Sequence, residues 1–232
     1  MRPVNKGACP YSAISNYRQA RGPLIERLGE LCSYCEMHLD AGLAVEHIQP
    51  KNLQPGKTCS WENLLLACAN CNSTKNKTDI NDANIDDYLW PDIHNTFLAL
   101  KYSEGGIVSV NDTLHPDIRA KAQKLISLVG LDKNPGNSAD MSDRRWYNRK
   151  EEFAKAQRSK QRLAAADTPN MHKLISEQIV DQADKYFSIW MTVFADDSDM
   201  KKRLITKFVG TAEDAFDAKN DYNPIPRTSQ GV

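Results

Sequence analysis

Two cysteine pairs, Cys32-x-x-Cys35 and Cys68-x-x-Cys71, constrain this chain more than any other feature. Each CxxC turn presents two thiolates, and two such turns make up the ligand set of a closed, tetrahedral structural zinc site. A chain stapled in this way must bring the two pairs together in space. A closed site has no open coordination position and does no chemistry itself. Acid/base groups and ligands for a hard cation then have to come from the stretch between and just after the pairs, where Glu46, His47, Asn63 and Asn72 stand among ordinary residues.

At 232 residues the chain can bury a core without disulfides, as one large domain or two small ones. Lysine plus arginine and aspartate plus glutamate number 30 each, so the chain as a whole lacks the basic excess of a free-standing nucleic-acid binder. The charge is unevenly spread. Within one stretch Arg144, Arg145, Arg149, Lys150, Lys155, Arg158, Lys160, Arg162 and Lys173 outnumber Glu151, Glu152 and Asp167, which makes it a candidate phosphate-facing surface and equally a solvated helix face. From Glu177 onwards acidic residues outnumber basic ones, which argues against nucleic acid there. The start, Met1-Arg2-Pro3-Val4-Asn5-Lys6, lacks the apolar core of a signal peptide, and no segment approaches membrane-spanning length, so a reducing, cytoplasmic compartment is expected. With four cysteines assigned to zinc, Cys9 and Cys59 are expected to be free thiols, and His38 an ordinary surface histidine rather than a fifth ligand.

Residues 1–23, rich in Pro, Gly and Asn, read as an N-terminal arm with one helical turn around Ile14 to Arg21. Helix-like spacing from Leu24 to Leu31 feeds into the first cysteine pair. The apolar run Leu43-Ala44-Val45 reads as a strand that ends at Glu46-His47 and is stopped by Pro50. Asn72-Ser73-Thr74-Lys75 offers capping side chains for a short helix. Phe97 to Tyr102 and Ile107 to Val110 read as a strand pair across Glu104-Gly105-Gly106. The rest predicts four helices: Thr113 to Val129, ended by Gly130; Met141 to about Ala166; His172 to about Ala195; and Met200 to about Phe216. The tail, 219–232, has few apolar groups and is expected to be disordered. The fold class is therefore α+β, with a zinc-stapled domain at 24–111 and a helical region at 112–218.

Hydrolysis of a phosphodiester needs a base to activate water, a cation to neutralise phosphoryl and leaving-group charge, and a partner that fixes the tautomer of the base. His47 has a near-neutral ordinary pKa and can take the proton. Asn63 can accept from one ring nitrogen of His47 and present the other to water. Glu46 and Asn72 offer oxygen ligands for Mg²⁺ or a similar cation. Adjacent strand residues point to opposite faces, so Glu46 and His47 converge only if the strand ends or twists there.

Taken together, Cys32-Ser33-Tyr34-Cys35, Val45-Glu46-His47-Ile48-Gln49-Pro50-Lys51, Trp61-Glu62-Asn63-Leu64 and Cys68-Ala69-Asn70-Cys71-Asn72-Ser73-Thr74-Lys75 resemble the HNH endonuclease motif. That resemblance implies a ββα-metal core stapled by two zinc knuckles. It puts His47 in the general-base position, Asn63 in the orienting position, and Glu46 and Asn72 in the metal-ligand positions. Glu46 stands where many HNH enzymes have Asp, and Asn72 replaces the final histidine. Both keep oxygen ligands and so favour a hard cation such as Mg²⁺. The opening Met-Arg-Pro-x-x-Lys-Gly, the Glu-His-x-x-Pro-Lys form of the base and the helical C-terminal half are similar to the PtuB-type HNH proteins of retron and Septu anti-phage operons. This finer resemblance implies a nuclease effector acting on DNA, or on RNA, with an ABC-type ATPase of the PtuA type as partner and the helical region as its docking surface. Two other readings stay open: a non-catalytic zinc module that binds nucleic acid or acts as a scaffold, and a stand-alone restriction-type nuclease.

Overall fold

The apolar residues flanking the two cysteine pairs set the architecture. The computed structural model describes residues 1–137, 142–229 and 231–232. Helix α1 (Arg21–Leu28) buries Leu24 and Leu28 one turn apart and ends at Gly29, whose φ is positive. The chain then makes the first cysteine turn, closed by the bridge between Leu31 and His38. Strand β1 (Ala44–His47) pairs antiparallel with β2 (Leu64–Ala67), placing Glu46 opposite Leu65 and His47 opposite Leu64. All of β2 is buried. Helix α2 (Ala69–Lys75) follows at once, so β1, β2 and α2 form the expected ββα unit. The helix begins ahead of Asn72. Its cap is the Cys68 thiol, which accepts from the Cys71 amide, while the Ser73 and Thr74 hydroxyls bond back to the Asn70 carbonyl.

A second hairpin, β3 (Leu100–Tyr102) with β4 (Val108–Val110), occupies the expected place. Its first strand starts later than Phe97, because Asn95 accepts from the Leu98 amide and winds Thr96–Ala99 into a short helix, α3. Helix α4 (Pro116–Val129) stops at left-handed Gly130, as the sequence predicts. Helix α5 (Arg145–Ala164) matches the next prediction, whose start at Met141 lies outside the described residues.

The long helix expected over His172–Ala195 is two helices, α6 (Pro169–Gln182) and α7 (Phe187–Val193). Glu36 causes the break. Its carbonyl accepts from the Tyr186 amide, and its carboxylate accepts from the Ser188 amide and hydroxyl, so it caps α7 from a distant part of the chain while Tyr186 turns left-handed at φ 54. Helix α8 (Ser198–Lys207) also ends early. At Gly210, with φ +75, an added Cβ would lie 2.0 Å from the Arg27 carbonyl oxygen, so only glycine lets the chain pass α1 here. Phe216 therefore leaves the helix for strand β5 (Phe216–Asp217), paired with β6 (Asn223–Pro224).

Neither end behaves as composition suggests. The first residues of the arm are part of the core: Met1 and Val4 are buried, the Arg2 guanidinium donates to Leu28 and Val209 carbonyls, and Val4 bridges Thr211. The described residues of the tail make specific contacts too. The Ile225 amide donates to Ala215, the Asn95 side chain donates to the Ala215 and Ile225 carbonyls, and Val232 is buried. Backbone partners replace the apolar area that these segments lack. Phe97, Phe187, Phe208 and Phe216 meet in one aromatic cluster that joins the zinc-domain side to the C-terminal helices. Among the described residues no helix is long and apolar enough to cross a membrane.

Candidate active site and zinc cluster

The four thiols converge. Cys32, Cys35, Cys68 and Cys71 are buried, with all four sulfur atoms within 4.8 Å of one another. The Cys35 and Cys68 sulfurs lie 3.7 Å apart, too far for a disulfide and close to the edge of about 3.8 Å that Zn–S bonds of about 2.3 Å give in a tetrahedron. The donor set fits structural zinc. Arg145 adds an outer contact, its Nη1 donating to Cys71 Sγ at 3.0 Å and to the Val129 carbonyl, while the rest of the guanidinium holds the Gly130 carbonyl and Asp143. His38 stands outside the four-cysteine cluster. It sits half-exposed between Glu30 and Asp40, 3.7 and 3.3 Å from their carboxylates. Cys9 and Cys59 are free and half-buried.

The zinc staple fixes the rotation of α2, because Cys71 lies in its first turn. Asn72, one residue on, then faces a cleft of about 810 Å³ that Glu46 and His47 also line. Lys75, one turn beyond Cys71, lies against β1, with its ammonium on Glu46. Strand β1 ends at His47, which lets two adjacent residues serve the same cleft.

His47 is half-buried. Its Nε2 lies 3.0 Å from the Thr58 carbonyl oxygen, which can only accept, so the ring carries its proton on Nε2 and its lone pair on Nδ1. Burial holds its pKa below the ordinary histidine value, the Thr58 bond opposes this, and Lys51 and Lys75 add to it. The Tyr17 ring packs edge-on against the imidazole, with centroids 4.8 Å apart.

The Asn63 side chain bonds to backbone and not to the His47 ring, contrary to the direct bond expected from sequence. Its Oδ1 accepts from the Gln49 amide at 2.8 Å, and its Nδ2 donates to the Gln49 and Lys57 carbonyls at 3.0 and 3.1 Å. Asn63 thereby ties both ends of the loop that carries Thr58, and acts on His47 through backbone. A side chain that spans a loop reaches more donors and acceptors than one aimed at a single ring nitrogen.

Glu46 is 2 % exposed and lies 2.8 Å from the Nζ of fully buried Lys75. Burial raises the Glu46 pKa and Lys75 counters this. The Lys75 ammonium, which has three N–H donors, also donates to the His47 carbonyl at 2.8 Å. Glu46 and Asn72 both line the cleft, and a carboxylate with a carboxamide is a donor set that fits an oxygen-ligated cation. Asn76 holds Asn72 in place, donating to its Oδ1 at 3.0 Å.

The basic stretch is less available than its charge count suggests. Arg145 and Arg149 are buried on backbone carbonyls, Lys155 reaches Glu152 and the Gln182 carbonyl, and Lys160 the Val193 carbonyl and Asp196. Buried carbonyls at helix and turn ends need donors, and long basic side chains supply them. Sequence reasoning missed Lys75, the Thr58 carbonyl, and Tyr17, Arg18 and Arg21, which line the cleft from the N-terminal segment. Lys75 had a signal, a lysine one turn past a zinc ligand. A backbone carbonyl has none.

No curated protein matches the chain significantly. The family model of HNH endonucleases matches residues 32–78, which hold the four cysteines, Glu46, His47, Asn63, Asn72 and the β1-β2-α2 unit described above. The chain thus carries an HNH endonuclease domain at residues 32–78, built on its four-cysteine cluster.

Proposed function

We propose that the chain is a divalent-cation-dependent endonuclease that hydrolyses nucleic-acid phosphodiesters, DNA in the first place. The observation that carries this reading is the His47 ring, held through Nε2 by the Thr58 carbonyl with Nδ1 left as acceptor. Its depressed pKa keeps it neutral at physiological pH, ready to take a proton from water. A cation such as Mg²⁺, held by Glu46 and Asn72, would neutralise phosphoryl and leaving-group charge. Lys75 favours the ionised form of buried Glu46 against the effect of burial, and Asn63 keeps Thr58 in register with His47. The test is cleavage of plasmid DNA with Mg²⁺. His47→Ala should lose about 10²-fold or more, the scale of a positioned acid/base group, while keeping fold and zinc. Cleavage by that variant at the wild-type rate, or full wild-type activity after confirmed chelation of the cation, would overturn the reading.

The same reading extends to a partner. In our proposal the chain is the nuclease effector of an anti-phage system and works with an ABC-type ATPase of the PtuA type. The family resemblance and the balanced net charge support this, as do Met171 and Leu174 on α6 and Val209 beyond α8, which are exposed apolar residues on the acidic half of the chain. Co-expression with the ATPase should slow hydrogen exchange over α6 to α8, and phage protection should need both proteins. Unchanged exchange together with full protection by this chain alone would overturn the partnership.

A further inference from the structure

We infer that the segment ahead of the zinc domain carries a backbone-phosphate subsite, in which Arg18 and Arg21, with Lys51 from the loop after β1, grip the nucleic acid beside the scissile phosphate while Tyr17 braces His47. The inference rests on the nuclease reading above and deepens it. All four residues line the cleft that holds His47 and Asn72, yet Tyr17, Arg18 and Arg21 lie outside the matched residues 32–78. Lys51 Nζ and Arg18 Cζ lie 5.2 and 5.9 Å from the centroid of the Tyr17 ring, so two cations flank the ring that touches the base.

The charges are not spoken for. Among the described residues no carboxylate pairs with Arg18, Arg21 or Lys51, whereas nearby Lys6, Lys57 and Lys75 are paired with Asp92, Asp82 and Glu46. With Glu46 offset by Lys75, Asp79 is the remaining acid on the lining, and the three cations outnumber it. Like charges gathered in one cleft repel each other, and an anion relieves that repulsion. The side chains also stand on a fixed base. Asn16 and Gln19 close a capping box around the turn Tyr17–Ala20, and Ala20 and Leu24 are buried on either side of Arg21. Two guanidinium forks on an ordered turn suit successive phosphates, which they can hold bidentately without reading sequence.

The test uses the full chain with His47→Ala, to prevent cleavage, and short labelled duplex DNA, single-stranded DNA and RNA as probes at several salt concentrations. Arg18→Ala and Arg21→Ala should each weaken binding alike for all sequences and lower the slope of log K against log salt by about 1, with zinc content unchanged. The tighter of the three probes identifies the nucleic acid. In the cleaving chain, Tyr17→Ala should lower kcat with KM kept, and Tyr17→Phe, which retains the ring, should restore it. If the His47→Ala chain binds nucleic acid and the Arg18→Ala/Arg21→Ala double variant keeps both affinity and slope, the subsite is wrong. If Tyr17→Ala cleaves like wild type, the bracing role is wrong. Failure of the His47→Ala chain to bind any probe would overturn the nuclease reading itself, and the subsite with it.

Discussion

The Lys75 ammonium lies 2.8 Å from Glu46 Oε1 with both side chains out of water, and it also donates a hydrogen bond to the carbonyl oxygen of His47, again at 2.8 Å. One lysine on α2 therefore touches two neighbouring residues of β1. It supplies the positive charge that opposes the effect of burial on the Glu46 carboxylate.

Removing Lys75 should be costly for that reason. Lys75→Met leaves the Glu46 charge buried and uncompensated, and losses of about 3–5 kcal/mol are usual when one partner of such a pair is deleted. Urea denaturation of the zinc-loaded chain measures this. Adding Glu46→Gln to Lys75→Met should recover much of the loss, because it removes the stranded charge. A single variant within about 0.5 kcal/mol of wild type, the range of ordinary surface substitutions, would contradict the buried pair.

Zinc should be stoichiometric and structural. Elemental analysis is expected to give about one zinc per chain, since four thiolates fill one tetrahedral site. Cys32→Ser or Cys71→Ser should lower the thermal midpoint, because metal-binding energy at a structural site is folding energy. A zinc-free preparation with full stability would rule this out.

Asn63→Ala removes the bonds to Gln49 and Lys57 and frees the loop that carries Thr58. Cleavage should fall by about 10- to 100-fold, the cost of a misplaced group near 1 Å from its working position, with nucleic-acid binding retained. Equal kcat in the variant would show that Thr58 needs no such support.

The acid limb of the cleavage profile should lie below pH 6.5. Burial depresses the His47 pKa beneath that ordinary value, so the neutral, proton-accepting form is full at neutral pH and is lost only as pH falls through the depressed pKa. Rates of cleavage at saturating substrate from pH 5 to 8 check the sign. An acid limb above pH 6.5 would mean that His47 is stabilised as a cation and is not the base.

Much of the zinc domain was legible in the chain. Cysteine spacing needs no tertiary knowledge to name a four-thiol site, because four ligands can satisfy the metal in only one way. The short strand before Glu46-His47 and the stop of α4 at Gly130 are local matters of apolar run, proline and positive φ. The residues that gather at the cleft were mostly legible too, since Glu46, His47 and Asn72 all line it. What only the tertiary structure decided depends on partners far away in sequence. No proline or glycine marks the break at Tyr186; Glu36 imposes it by capping α7 from across the molecule. The polar ends of the chain look free until carbonyls and amides elsewhere take them up. The partners of Asn63 were not legible, because a carboxamide can bond to almost anything, and its choice of the Gln49 and Lys57 backbone is made by the loop's shape. Composition and periodicity report what a residue prefers to be near. Which donor meets which acceptor is settled by the packing, since a buried polar group must find a partner wherever the fold provides one.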